Sequence, residues 1–96
     1  MELRLLKPAE LELDEGISWY ELQVTGLGDE FLNEILITFK RIKSNPKAWP
    51  VFTVRTRRCL VHKFPYGVVY QIRKDEILVV AIYHLHRKPF YWKDRI

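Results

Sequence analysis

Acidic residues nearly vanish from the second part of this chain. Residues 40–96 hold three (Asp75, Glu76, Asp94) against fourteen lysines and arginines, a balance of +11. Residues 1–39 hold nine acidic side chains against two basic ones (Arg4, Lys7), a balance of −7. The net charge of +4 therefore conceals an acidic front and a basic back. Fourteen cations in that stretch exceed what solubility requires, and they point to a polyanionic or acidic-protein partner. Cysteine is almost absent too. Cys59 stands alone, so no internal disulfide can form and a reducing compartment is expected. It reads as a small buried apolar residue, since a nucleophilic role needs a paired base that the sequence does not place. Long apolar runs are missing: the longest, Ile77 to Tyr83, falls far short of the ~20 residues of a membrane span. Met1-Glu2-Leu3-Arg4 has none of the marks of a signal peptide. The expectation is a cytoplasmic chain with no membrane contact.

What is present is enough for one modest core. With 96 residues, 48% of them hydrophobic, residues 1–96 are expected to form a single domain. There is no repeat, low-complexity tract or linker. Leu3 to Leu6 alternates like a short strand, and Pro8 suits a first helical turn, where no N–H is needed. Ala9, Leu13, Ile17, Tyr20 and Val24 then recur at helical spacing, with Glu10, Glu12, Asp14, Glu15 and Glu21 elsewhere around the helix. Gly26-Leu27-Gly28 breaks that pattern. Asp29 and Glu30 favour the start of a second helix, whose apolar face is Phe31, Ile35, Phe39 and Ile42, and Asn45-Pro46 ends it. The two helices read as an antiparallel hairpin.

A loop, Pro46 to Phe52, leads to three β-rich segments: Arg55 to His62, Tyr66 to Arg73 and Ile77 to His84. Lys74-Asp75-Glu76 is short enough to join the last two as a hairpin, and the unbroken apolar run marks the last as a central strand covered on both faces. The tail from Pro89 is read as one or two helical turns. The predicted fold is α+β, in the order β-α-α-β-β-β, a small antiparallel sheet with the N-terminal helical hairpin packed on one face.

Several motifs occur in a telling order. Arg57-Arg58-Cys59-Leu60-Val61 is followed by Lys63-Phe64-Pro65-Tyr66-Gly67-Val68-Val69-Tyr70. Ala81 to Trp92 then follows the pattern A-x-x-H-x-x-R-x-P-x-Y-W. Upstream stand Gly26-Leu27-Gly28-Asp29-Glu30-Phe31 and Ile42 to Pro50 (IKSNPKAWP). Together they cover nearly the whole chain, which resembles the RelE/ParE superfamily of type II toxin–antitoxin systems, and its ParE-like branch in particular. The resemblance implies the fold just derived and a growth-inhibiting toxin neutralised by a cognate antitoxin, with operator DNA reached only through that antitoxin.

The superfamily holds two mechanisms. Its ParE branch inhibits DNA gyrase without a known hydrolytic site, while its RelE branch cuts mRNA on the ribosome. Cleavage through a 2′-OH needs a base, cations at the phosphate and an acid for the leaving oxygen. RelE-like nucleases tend to carry an arginine where this chain has Gly67, a departure that favours the gyrase reading. If the chain is a nuclease, the candidate catalytic residues are His86, Arg87 and Tyr91. Candidate target contacts are Arg57, Arg58, Lys63, Arg87, Tyr91 and Trp92, with Trp92 and Arg87 expected at the surface because the tail is so charged. Trp19 and Leu22, off the main face of the first helix, either pack under the tail or contact the antitoxin. His84 and His86 would share one side of a strand, but no third ligand is evident, and neither metal nor cofactor is expected. A third reading is a non-toxic relic that serves as a binding module in an antitoxin–operator complex.

Overall fold

The computed structural model describes all 96 residues, Met1–Ile96. A short strand, β1 (Glu2–Leu5), leads directly into helix α1 (Lys7–Gln23), with Pro8 in its opening turn. Helix α2 spans Leu27–Ser44 and stops at Asn45-Pro46 as the sequence indicates. The turn between them is held by one side chain. Both Glu21 carboxylate oxygens accept the Gly26 N–H, at 3.0 and 3.1 Å, and Oε1 also accepts the Gly28 N–H at 3.0 Å. A carboxylate thus satisfies donors at the start of α2, where the helix dipole favours negative charge. Gly26 sits at φ +90°, and a Cβ on Gly28 would lie 2.7 Å from the Ile17 carbonyl oxygen, so the turn needs glycine at both places.

Helix α2 buries Phe31, Ile35, Phe39 and Ile42, the face that the spacing predicts. Helix α1 is turned slightly from its predicted face. Its buried line is Ala9, Glu12 and Gly16, flanked by the partly buried Leu13, Ile17 and Tyr20. Gly16 receives the Phe31 ring, whose nearest atom would stand 2.6 Å from an added Cβ.

The sheet has five strands in the order β1-β5-β4-β3-β2, with β2 at Val51–Thr53, β3 at Thr56–Leu60, β4 at Tyr66–Ile72 and β5 at Glu76–His84. The predicted helical hairpin on a small sheet is the observed fold. Pairing adds two details. The loop after α2 contributes the short strand β2, and β1 lies parallel to β5, in register from Glu2–Glu76 to Leu5–Val79, while the other pairs are antiparallel. Strand β5 is buried from Ile77 to Tyr83. Between Val69–Ala81 and Tyr70–Val79 the ladder skips Val80, a bulge that turns Val80 and Ala81 toward the same side.

Each sheet face has its own cluster. The helices cover Cys59, Val68, Tyr70, Ile77, Val79 and Ile82. On the opposite face, Val69, Val80, Ala81 and Tyr83 are covered by the tail through Trp92, with Phe52, Tyr91 and Ile96 alongside. The tail is a run of turns closing in a 3-10 turn at Lys93–Arg95. No helix is long and apolar enough to cross a membrane.

Candidate functional site

Strand β1 stops pairing at Leu5, four residues into a nine-residue β5. The Leu6 N–H still reaches the Val79 carbonyl, at 3.0 Å, but beyond that point the edge of β5 has no neighbouring strand. Two side chains take the strand's place. Glu12 Oε1 accepts the Ile82 N–H at 3.1 Å, and Arg95 Nη1 donates to the Val80 carbonyl at 3.0 Å. Backbone groups that burial would otherwise leave unpaired are thereby satisfied.

Glu12 is 9% exposed and is the hub of this region. Arg95 grips both its oxygens, Nη1 to Oε1 at 2.8 Å and Nη2 to Oε2 at 3.1 Å, the forked geometry that makes arginine–carboxylate pairs strong. Arg87 Nη1 approaches Oε2 at 3.5 Å, and the Tyr91 hydroxyl donates to the same oxygen. The Tyr91 ring has the Arg87 guanidinium 3.9 Å from its centre and that of Arg95 at 5.2 Å. Burial, joined by the hydrogen bond to Glu12, pushes the Tyr91 hydroxyl pKa far above its ordinary 10.0. Burial works against the charge on Arg95, but the contact with Glu12 outweighs it, and its pKa is raised. One carboxylate faces two guanidiniums, so the cluster keeps an excess positive charge, and it emerges at Arg87, whose side chain is 53% exposed.

From Arg87 the surface continues over the tail-covered face. Tyr91 and Tyr83 stand 6.5 Å apart, and the Tyr83 hydroxyl accepts a 2.8 Å hydrogen bond from Arg58. Arg58 lies 4.4 Å over the Phe52 ring, which stacks in turn on Phe90 at 5.4 Å. Phe90 is 44% exposed and held at φ +57°, a conformation that non-glycine residues rarely adopt. Arg58, Phe52, Phe90, Tyr91 and Arg87 therefore form one basic, aromatic surface. On the other side of Arg87, a groove of about 310 Å³ is lined by Glu12, Glu15, Trp19, Tyr66, Ile82, His84 and Arg87.

The residues singled out from sequence do not all gather here. Arg58, Arg87 and Tyr91 do. Trp92 is adjacent but only 2% exposed, so the surface position expected for it is corrected: its ring inserts against Val69, Val80 and Ala81 while charged Lys93 and Asp94 point to solvent. Arg57 is on the helix side of the sheet, donating to the Lys47 and Trp49 carbonyls at 3.1 and 2.7 Å, and so buttresses a loop. Lys63 pairs with Glu34 on α2 at 3.6 Å. His86 is exposed, outside the strand, and makes its ring contact with His84 at 5.1 Å. No group of three or more His, Cys, Asp or Glu side chains is placed to hold a metal ion. Trp19 and Leu22, at 59% and 83% exposure, do not pack under the tail but stand out on α1.

The sequence does not mark Glu12, because its position among five acids on α1 reads as solvated surface. One signal is present: Ala9 and Gly16, small residues on the same line of the helix about a turn to either side of Glu12, mark a buried face. Nothing in the sequence sets Arg95 or Phe90 apart from the other basic and aromatic residues of the tail.

Residues 3–89 match the sequence profile described as the ParE toxin of the type II toxin–antitoxin system parDE. Among solved structures, the chromosomal ParDE toxin–antitoxin system from P. aeruginosa contains a chain that aligns with a TM-score of 0.68 at 15% identity, covering 90% of this chain and 97% of that one. That likeness carries the fold. No protein in the curated comparison matches. With the profile spanning nearly the whole length, the chain belongs to the ParE toxin family and is the toxin component of a type II toxin–antitoxin pair.

Proposed function

We propose that this toxin inhibits growth by binding DNA gyrase through the surface formed by Arg58, Phe90, Tyr91 and Arg87, without cutting RNA. The observation that carries this reading is the engagement of Tyr91 and Arg87 by Glu12. A tyrosine that donates its proton to a carboxylate, with its pKa driven upward, is a poor general base near neutral pH. Arg87 shares its charge with the same carboxylate, and the ring contact of His86 is with His84. Gly67 adds support. A Cβ there would stand 2.9 Å from the Tyr83 ring, so the position has no room for an arginine to face a phosphate. An exposed guanidinium beside aromatic rings is instead the composition favoured at protein interfaces.

The antitoxin is proposed to cover the exposed apolar stripe of α1, Trp19 and Leu22 with Leu11, beside the groove that ends at Arg87. Occupation there would hold the toxin away from its target.

Purified toxin added to a gyrase supercoiling reaction is expected to block supercoiling, with antitoxin restoring it, and to leave mRNA intact on translating ribosomes. Ribosome-dependent cleavage with normal supercoiling would replace this reading with the nuclease one. Normal growth on induction without antitoxin, with an intact antitoxin–operator complex, would identify a relic.

A further inference from the structure

A second groove, on the opposite edge of the sheet, is built differently. It measures about 440 Å³ and is lined by Arg41 of α2, Trp49 and Pro50 of the following loop, and Arg58, Leu60, Val61 and His62 around the end of β3. No acidic side chain lines it. Neither Arg41 nor Arg58 belongs to any ion pair of the chain. Arg41 lies over the Trp49 ring at 4.6 Å, and its Nη1, like Trp49 Nε1, is shielded from solvent without a hydrogen-bond partner. Donors in that condition mark a place where a partner group improves the molecule.

The backbone adds a directional feature. Strand β2 pairs with β3 only at Arg57 and Thr56, and the last outward bond runs from the Arg58 N–H to the Pro50 carbonyl at 3.1 Å. Toward the sheet interior, the Val61 N–H reaches the Tyr66 carbonyl at 2.9 Å. Alternation along an antiparallel strand then turns the Leu60 N–H and C=O outward, beyond the end of β2, where the carbonyl meets only the weak Cys59 thiol donor at 3.7 Å and keeps a lone pair for a partner. This open edge runs along the groove, with Arg41 and Trp49 on the helix side and Arg58 and Leu60 on the other face. Leu60 is 48% exposed there.

We propose that this edge is a docking site for an extended peptide of a partner protein, one that alternates carboxylate and apolar side chains and adds as a strand beside Leu60. The main chain of the peptide bonds to Leu60, and a carboxylate reaches the Arg41 fork over Trp49. Neighbouring side chains, which project to the other face, meet Arg58 and Leu60. A nucleic-acid backbone fits less well, because a strand edge offers a carbonyl oxygen beside its N–H, and Pro50, Leu60 and Val61 give the walls apolar stretches between the two arginines. The site lies apart from the Arg87 surface except for Arg58, and it does not depend on the gyrase reading.

The probe is an acetylated, amidated peptide of about six residues alternating Glu and Val, titrated into the full ¹⁵N-labelled chain and followed by NMR. Shifts are expected at the Leu60 amide and the Trp49 indole N–H, with the Gln-for-Glu peptide binding on the order of tenfold more weakly. Arg41→Gln should weaken the Glu peptide about as much, and Arg41→Lys, which keeps charge but loses the fork, by an intermediate amount. A dispersed spectrum of each variant verifies its fold. If Arg41→Gln does not fold, Trp49→Phe removes the indole donor and is expected to weaken the same peptide. Unmoved Leu60 and Trp49 resonances at about 1 mM peptide would overturn the proposal. Equal binding of the Glu and Gln peptides would do so too, as would a single-stranded oligonucleotide binding the same residues more tightly than the peptide.

Discussion

Replacing Glu12 with alanine removes at one stroke the acceptor for the Ile82 N–H, the Tyr91 hydroxyl, Arg87 and both arms of Arg95. Arg87 is half exposed and regains water, so it adds little. Arg95, with a side chain only 19% exposed, is left as an unpaired charge beside an unpaired backbone N–H and a buried hydroxyl. Breaking a buried ion pair from one side costs about 3–5 kcal/mol. A domain of this size has a total stability of about 5–15 kcal/mol, so the loss is a large share of it. At ~4–8 °C per kcal/mol, Tm should fall by at least ~12 °C. Glu12→Gln retains an acceptor for Ile82 and should cost less, ~1–3 kcal/mol. The assay is urea unfolding followed by tryptophan fluorescence, to which buried Trp92 contributes, with exposed Glu10→Ala as the control within ~0.5 kcal/mol. A cycle pairing Glu12→Ala with Arg95→Ala should give a coupling of at least ~1 kcal/mol. A loss below ~1 kcal/mol for Glu12→Ala, or additivity in the cycle, would refute the argument that this carboxylate stands in for a missing strand.

Three other outcomes are expected. Gly67→Ala places a Cβ 2.9 Å from the Tyr83 ring and should destabilise the protein by ~1–3 kcal/mol in chemical denaturation, and Gly67→Arg should destabilise more without creating mRNA cleavage on ribosomes. Arg87→Ala should change stability by no more than ~0.5 kcal/mol yet weaken inhibition of supercoiling about tenfold or more, measured as the toxin concentration for half inhibition. Burial pushes the Tyr70 hydroxyl up to about 12, and it donates to the Pro46 carbonyl at 2.5 Å. Because the folded pKa is raised, this contribution is whole below the ordinary value of 10.0 and is lost as pH climbs toward about 12. Tyr70→Phe should therefore be less stable than wild type by ~1 kcal/mol at pH 8, with the gap closing at alkaline pH in a denaturation series.

How much of this was legible in the sequence varies from element to element. The face of α2 followed directly from Phe31, Ile35, Phe39 and Ile42, since an amphipathic helix states its own orientation. Apolar spacing sets the face of α1 one step off, because the centre of its buried line is a carboxylate between two small residues, and hydrophobic spacing cannot register a buried acid. The tail departs from expectation at Trp92 for a related reason: the charges on either side of it predict exposure for the segment, whereas a turn sends neighbouring side chains in opposite directions.

The acidic-to-basic split, the helical hairpin broken at Gly26-Leu27-Gly28, the central placement of β5 and the ordered motifs of the family all follow from the order of residues alone. All of these are properties of adjacent residues, set by backbone preference and by the period of the apolar positions. The parallel run of β1 along β5 emerges only in the folded chain, since no short turn joins them and nothing local fixes their direction. Folding also brought Glu12 to Arg95 across 83 positions, tied Arg57 to a loop and Lys63 to α2, and left Arg58, Tyr91 and Arg87 on one surface. Those pairings depend on which groups a finished sheet leaves without partners, and that is known only once the strands have closed on one another.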